Sequence, residues 1–337
     1  MSDGTILIWG AGAIGGTLGA YWTRAGHDVL LVDREAEHVA AMNRDGLLIE
    51  GPVEEFRQAV RAVTPDEVRG TYRRIVLAVK AHHTGEATRG LAPHLDADGY
   101  VLSAQNGLNE LSIAGIVGER RTMGCFVNFG ADYLAPGRIL RGNRAAVVVG
   151  ELDGATTPRV EAMHALLREF EPNAVLTDDI WGYLWGKLGY GALLFATALT
   201  NESIADALAS ERHRPVYAAL GREVMTVAAR RGVRPRGFNG FDPDAFAAGN
   251  EAGIARSIDA MVAFNRGSAK SHSGIWRDLA VRKRRTEVDA QIGIIAGIGR
   301  ELGVPMPALE RLVALIHAIE EGERPLAWST LDAMLTP

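Results

Sequence analysis

The chain has 337 residues, of which 47% are hydrophobic and 23% charged, and a net charge of −5. That length exceeds what one hydrophobic core usually supports, so two domains are expected. The acidic balance, with no basic run interleaved with aromatics, excludes a nucleic-acid binder, and the absence of an 18-residue apolar run excludes a membrane span.

The first element is a strand, Ile6–Trp9, which runs into Gly10-Ala11-Gly12-Ala13-Ile14-Gly15 and then into a helical pattern, Ile14, Leu18, Tyr21 and Trp22. In that setting the glycines have separate tasks. Gly10 permits a tight turn, Gly12 lets backbone approach a pyrophosphate, and Gly15 brings helix and strand close together. The amides of Ala13 and Ile14, at the positive end of the helix, would hold phosphate. Ala25-Gly26-His27 ends the helix, Val29–Val32 forms a second buried strand, and Asp33 and Arg34 follow at its carboxyl end. This is a dinucleotide-binding unit.

Further strands are expected at Ile75–Val79, Tyr100–Ser103, Thr122–Val127, Ala145–Val149 and Ala174–Leu176. The helices between them are expected at Ile14–Ala25, Glu35–Asn43, Thr84–His94 and Pro158–Phe170. Such alternation implies a doubly wound parallel sheet with its ligand at the strands' carboxyl ends. Lys80 and Asn106 both end strands there. After Thr177 only helical patterns remain, near 180–199, 211–231, 251–266, 277–302 and 307–320. The domains are therefore read as 1–178, binding dinucleotide, and 179–337, an all-helical domain for substrate and dimerisation, with Asp178-Asp179 at the boundary.

Two helical positions stand out chemically. Lys187 lies in Trp181-Gly182-Tyr183-Leu184-Trp185-Gly186-Lys187-Leu188, an apolar setting that lowers a lysine pKa towards general acid/base range. Glu287 precedes the apolar stretch Ile292–Ile298. Taken singly, each has an ordinary reading as well: a snorkelling lysine and a surface ion pair. Gly293 and Gly297, four apart, suit close helix approach within or between chains. Adjacent His82 and His83 lack metal-ligand spacing, and no metal is expected. Cys125, the single cysteine, is read as a buried small hydrophobe and excludes an internal disulfide. With no basic n-region in MSDGTILIWG, the expected location is the cytoplasm.

Read together, five segments resemble the ketopantoate reductase (2-dehydropantoate 2-reductase) family: GAGAIGG at 10–16, VLAVKAHHT at 76–84, SAQNGLNE at 103–110, YLWGKLGYGALLFATALT at 183–200 and RRTEVDAQIGIIAGIGRELGVPMP at 284–307. The resemblance implies a Rossmann-type domain followed by a helical domain similar to the C-terminal domain of 6-phosphogluconate dehydrogenase; a homodimer through the helical domain is expected from Gly293 and Gly297. It implies NADPH-dependent reduction of a 2-oxo acid to a 2-hydroxy acid. Lys187 would be the general acid and Glu287 would orient it and the substrate, with Asn106 and Lys80 lining the cofactor and substrate cleft.

The departures point to a paralogue with a different substrate. The family has asparagines four and eight residues after the lysine; here Gly191 and Phe195 stand on that stripe, so two amide contacts to substrate are missing. The segment 270–278 is about one residue longer than the family's serine-pair run before the glutamate. It offers Ser273 for the serine role and Lys270, His272 and Arg277 as additional substrate contacts. Asp33 favours NAD through the ribose hydroxyls, whereas Arg34 matches the arginine that meets the phosphate of NADP. The alternatives are a dehydrogenase of a sugar acid, a β-hydroxy acid or an imine, and a dinucleotide-sensing protein without turnover.

Overall fold

The computed structural model describes residues 4–267 and 271–335, and the chain divides into two compact units, Met1–Ile180 and Trp181–Pro337. Lys270 lies outside the described residues.

Among the described residues the first unit has twelve strands in two sheets. In chain order they are β1 (Ile6–Trp9), β2 (Val29–Val32), β3 (Leu47–Glu50), β4 (Phe56–Gln58), β5 (Arg61–Val63), β6 (Tyr72–Leu77), β7 (Leu95–Ser103), β8 (Thr122–Val127), β9 (Gly130–Ala135), β10 (Arg138–Asn143), β11 (Val147–Glu151) and β12 (Val175–Leu176). The large sheet has the order β12-β11-β8-β7-β6-β1-β2-β5. Its central strands are parallel, with Ile6 beside Val29 on one side and Arg74 on the other, while β11 runs antiparallel to β8. Near-continuous apolar runs such as ILIW and VLLV fit strands covered on both faces. Five helices accompany them: α1 (Ala13–Arg24), α2 (Ala36–Asp45), α3 (Thr84–Leu91), α4 (Asn109–Val117) and α5 (Pro158–Phe170).

The second sheet, β4-β3-β10-β9, is a feature the alternation of apolar and helical segments did not foreshadow. Its strands are short, and Phe56–Gln58 and Arg138–Asn143 carry charged, exposed positions, so their periodicity is weak. β3 and β10 pair in parallel although about 90 residues apart in the chain.

The second unit is helical among the described residues apart from an isolated bridge between Phe238 and Phe241. Its helices are α6 (Ile180–Thr197, beginning at the last residue of the first unit), α7 (Ile204–Ala209), α8 (Arg214–Arg230), α9 (Pro243–Ala247), α10 (Glu251–Arg266), α11 (Gly274–Trp276), α12 (Ile294–Glu301), α13 (Pro307–Glu320) and α14 (Trp328–Asp332). The helix expected at 277–302 is not continuous. Two π-helical turns, at 277–281 and 289–293, flank a non-helical stretch from Arg282 to Glu287. The physical cause is Asp278, buried at 8% side-chain exposure, which accepts hydrogen bonds from Arg282 and Arg284, both at 2.9 Å. Its backbone carbonyl also takes the Arg284 N–H at 3.0 Å, so the chain turns back on itself. Lys283 adopts φ +50° at the bend, in the left-handed region. Neither Gly293 nor Gly297 supports close helix approach within the chain. A Cβ on Gly297 would meet nothing within 4 Å, and one on Gly293 would make only ordinary contacts. Cys125 is buried on β8.

Candidate active site

The phosphate-binding turn is built as its glycines require. Gly10 has φ +103°, and a Cβ there would lie 2.7 Å from the Val79 backbone nitrogen. A Cβ on Gly15 would lie 2.0 Å from the Gly10 carbonyl oxygen, which enforces the tight strand–helix contact. Gly12 differs: it is the N-cap of α1, and a Cβ there would meet nothing within 4 Å. No side chain caps this helix and no acidic residue occupies its first turn. Ala13 and Ile14, half-buried, open the helix beside that space. Main chain with open room in front of a positive helix end fits a dinucleotide pyrophosphate.

His38, which sequence reasoning passed over, secures this turn. The ring is 1% exposed, accepts the Gly137 N–H at Nδ1 (2.9 Å) and lies 3.0 Å from the Ala11 carbonyl at Nε2. An accepting Nδ1 places the proton on Nε2, so the ring donates to Ala11 and ties the turn to the β9–β10 hairpin. No motif marks such a residue.

At the end of β2, Asp33 is half-buried and accepts the Glu35 N–H at 3.1 Å. Arg34 is exposed, pairs with Glu35 at 3.2 Å and reaches His83 Nε2 at 3.3 Å. Lys80 and Asn106 are both exposed and leave neighbouring parallel strands, where Leu77 pairs with Ser103. Buried Gln105 joins their supports, donating to the Val79 carbonyl (2.9 Å) and to Thr84 Oγ1 (2.8 Å). Thr84 donates to Asn109 Oδ1 at 2.8 Å, and Asn109 donates to the Asn106 carbonyl at 2.6 Å. One polar network thus fixes both strand exits. Such buried amides read as anonymous polar residues in sequence.

In the helical unit, Lys187 is half-buried on α6 beside Trp185 and Leu188, each 2% exposed. Its turn is gripped by the segment 236–241. A Cβ on Gly186 would lie 1.9 Å from the Arg236 carbonyl, one on Gly189 would lie 2.7 Å from Phe241, and the Arg236 N–H donates to the Gly182 carbonyl at 2.7 Å. Gly186 admits the Arg236 backbone and Gly189 admits the Phe241 ring and the Met225 methyl, so the helix is clamped on either side of Lys187.

The two departures on this helix separate. A Cβ on Gly191 would meet nothing within 4 Å, so that position opens onto space. Phe195 is 0% exposed and packs in the core, and so does not share that opening. Around Phe195 the helix is buried, Ala192, Leu193, Ala196 and Thr197 included.

Ser273 is 4% exposed and caps α11, accepting the Trp276 N–H at 3.1 Å. His272 packs against Trp276 in a tilted arrangement, with centroids 4.0 Å apart and rings at 34°, and its Nε2 lies 3.2 Å from the Asn201 carbonyl. Arg277 is half-buried, and Asp278 bonds to Arg282 and Arg284. Glu287 is half-buried at the end of the non-helical stretch. A cavity of about 850 Å³ adjoins that stretch, lined by Trp276, Leu279, Arg284, Arg285 and Glu320 among others, but neither Lys187 nor Glu287 lines it. No group of three or more His, Cys, Asp or Glu among the described residues could hold a metal, and no described helix is long and apolar enough to cross a membrane.

A largely parallel sheet with an uncapped glycine turn at a helix N-terminus fits a dinucleotide-binding domain, the fold class that NAD(P)-dependent oxidoreductases use. Comparison with known proteins makes this specific. Residues 6–154 match the family model for ketopantoate reductase PanE/ApbA, and residues 179–320 match that for its C terminal region. The chain belongs to the ketopantoate reductase family. It is 28% identical to a 2-dehydropantoate 2-reductase of Mesorhizobium japonicum over 345 aligned positions, covering 94% of this chain and 98% of the relative. Among solved structures, a ternary complex of D-mandelate dehydrogenase with NADH and anilino(oxo)acetate superposes with a TM-score of 0.80 at 24% identity, covering 95% of this chain and 99% of that one. A dimeric ketopantoate reductase from Staphylococcus aureus superposes with a TM-score of 0.73 at 18% identity, with the same coverage.

Proposed function

We propose that this protein interconverts a small 2-oxo acid and its 2-hydroxy acid, with Lys187 as general acid and base. The observation that carries the reading is Lys187 itself, a half-buried ammonium between buried Trp185 and Leu188 on a clamped helix turn. A bound nicotinamide dinucleotide supplies a hydride to the carbonyl carbon. Lys187 donates its proton to the carbonyl oxygen as negative charge develops there, and recovers one when the reaction runs backwards. A cation aimed at that oxygen stabilises the transition state more than the neutral ground state. Glu287 orients the ammonium and a polar substrate group, while Lys80 and Asn106, held by the Gln105 network, border the nicotinamide and the acid. Ser273, His272 and Arg277 are the proposed contacts of the substrate end.

The substrate proposed is other than ketopantoate. Gly191 presents open space where the family pattern has an amide, which suits a bulkier or less polar acid. An aryl 2-oxo acid is the first to test, since the D-mandelate dehydrogenase that superposes on this chain was solved with NADH and anilino(oxo)acetate. NAD is the proposed cofactor: the Asp33 carboxylate repels a 2′-phosphate and suits ribose hydroxyls, and Arg34 is engaged with Glu35 and His83. A homodimer with the helical unit as its interface completes the proposal; the staphylococcal relative is dimeric.

The test is steady-state oxidation of NADH and NADPH with ketopantoate, phenylglyoxylate and a panel of aliphatic 2-oxo acids, for the wild type and Lys187→Met. Turnover of a 2-oxo acid that disappears in Lys187→Met supports the assignment. Cofactor binding with no turnover of any acid by the wild type would replace it with a dinucleotide sensor.

A further inference from the structure

Glu287 sits where little regular structure holds the chain, at the end of the Arg282–Glu287 stretch and before the π-helical turn at 289–293. Its neighbours are nevertheless tightly held, and by one turn of α13. Glu320, whose side chain is 3% exposed, accepts with one oxygen both the Thr286 N–H (2.7 Å) and the Thr286 hydroxyl (2.8 Å). The Thr286 hydroxyl oxygen in turn accepts the Val288 N–H at 3.3 Å. The second oxygen of Glu320 lies 2.9 Å from His317 Nδ1, and the opposite ring nitrogen, Nε2, lies 3.0 Å from Asp289 Oδ1.

We propose that His317 and Glu320 are positioning residues for Glu287, fixing the backbone on both sides of that carboxylate through Thr286 and Asp289. The proposal rests on the reading of Glu287 given above. It follows from counting protons. Ionised carboxylates only accept hydrogen bonds, whereas neutral imidazole carries one N–H and one lone pair. Both ring nitrogens face carboxylates, so both contacts exist together only when His317 is the imidazolium. Loss of its proton turns one contact into lone pair against carboxylate and releases either Asp289 or Glu320.

Burial opposes charge on this ring, but the hydrogen bonds and attraction of Glu320 and Asp289 outweigh it and raise its pKa. The charged groups that act on it are Glu320 from its own helix and Asp289 from the π-helical turn. Helix α8, also packed against α13, directs Glu223 to the amides of Ala308 and Leu309 at the other end, and the turn at 333–335 carries no charged side chain. The bridge is complete below the ordinary histidine value and is lost as pH rises through the raised one.

The experiment compares wild type, His317→Gln, Thr286→Val and Glu287→Gln from about pH 6 to about pH 9, across histidine's titration range. It uses NADH with phenylglyoxylate and with ketopantoate, and amide hydrogen exchange of residues 282–291 in parallel. His317→Gln is expected to lower kcat about tenfold near pH 6, inside the hundredfold that a 1 Å misplacement can cost, with cofactor affinity unchanged. The gap to wild type closes at high pH, where both lack the bridge. Exchange in 282–291 follows the same course with or without turnover, and Thr286→Val gives a smaller loss at all pH values. Glu287→Gln with wild-type kcat removes the reading of Glu287. Glu287→Gln impaired while His317→Gln matches wild type in rate and exchange at every pH overturns the positioning role alone.

Discussion

The two units hold their reactive groups in different ways. In the first, the proposed ligand-facing surface is main chain: Gly12 offers bare backbone to open space, and two side chains, His38 and Gln105, support the backbone from behind. In the second, the proposed reactive groups are side chains, Lys187 and Glu287, and the backbone around them is shaped by glycines and a broken helix. A backbone site tolerates no side chain in its turn but is indifferent to pH. A side-chain site tolerates backbone neighbours but depends on protonation. The contrast makes each half vulnerable to a different kind of change.

The largest effect is expected at Gly15, where any Cβ would lie 2.0 Å from the Gly10 carbonyl oxygen. Gly15→Val should abolish folding of the first unit, seen as loss of a cooperative melt, whereas Gly12→Val should leave the melt unchanged and remove NADH binding in a fluorescence titration. If both variants fold and bind, the distinction between the two glycines is wrong. Next is Lys187→Met, expected to lower kcat/KM about 10²- to 10⁴-fold, the usual worth of a general acid, with NADH affinity retained.

The departures on α6 give the third pair. Phe195→Ala should cost about 3–5 kcal/mol in urea denaturation, as for a fully buried phenyl ring. Gly191→Asn should be structurally mild and should raise turnover of ketopantoate relative to aryl 2-oxo acids; an unchanged ratio would remove Gly191 from the substrate surface. The smallest effect is at Asp33. Asp33→Ser should move the NADH-to-NADPH preference towards NADPH by about tenfold, near the low end of what a hydrogen bond to a charged group contributes.

How much of this was readable in advance follows the same division. The strand, turn and helix at 6–24 are local in sequence, and their glycine spacing states its own geometry. Pro158–Phe170 and Glu251–Arg266 appear at the expected bounds because a cap and an apolar stripe define each. The second sheet was not legible, since β3 finds β10 about 90 residues away and neither is strongly patterned. The run Arg282–Arg285 reads as helix by propensity, but Asp278 captures two of its arginines and bends it. Lys187 stood out as a charge in an apolar helix, and Glu287 only as a carboxylate ahead of an apolar stretch; the roles of both are proposals. Their supports were not legible: Gly186 beside Arg236, and Glu320 beneath Thr286, are contacts across long sequence separations.

The bare peptide at Gly12 has a consequence for how such a protein can change. Grip on the dinucleotide's shared diphosphate would then be set by atoms that every amino acid possesses, so substitution elsewhere would not easily weaken it by degrees. In the proposed reading, choice between the two common dinucleotides is left to positions 33 and 34, just after β2 and remote in sequence from Lys187. Redox currency and acid preference can therefore be exchanged one at a time, and a descendant of this chain could acquire a new fuel without relearning its chemistry.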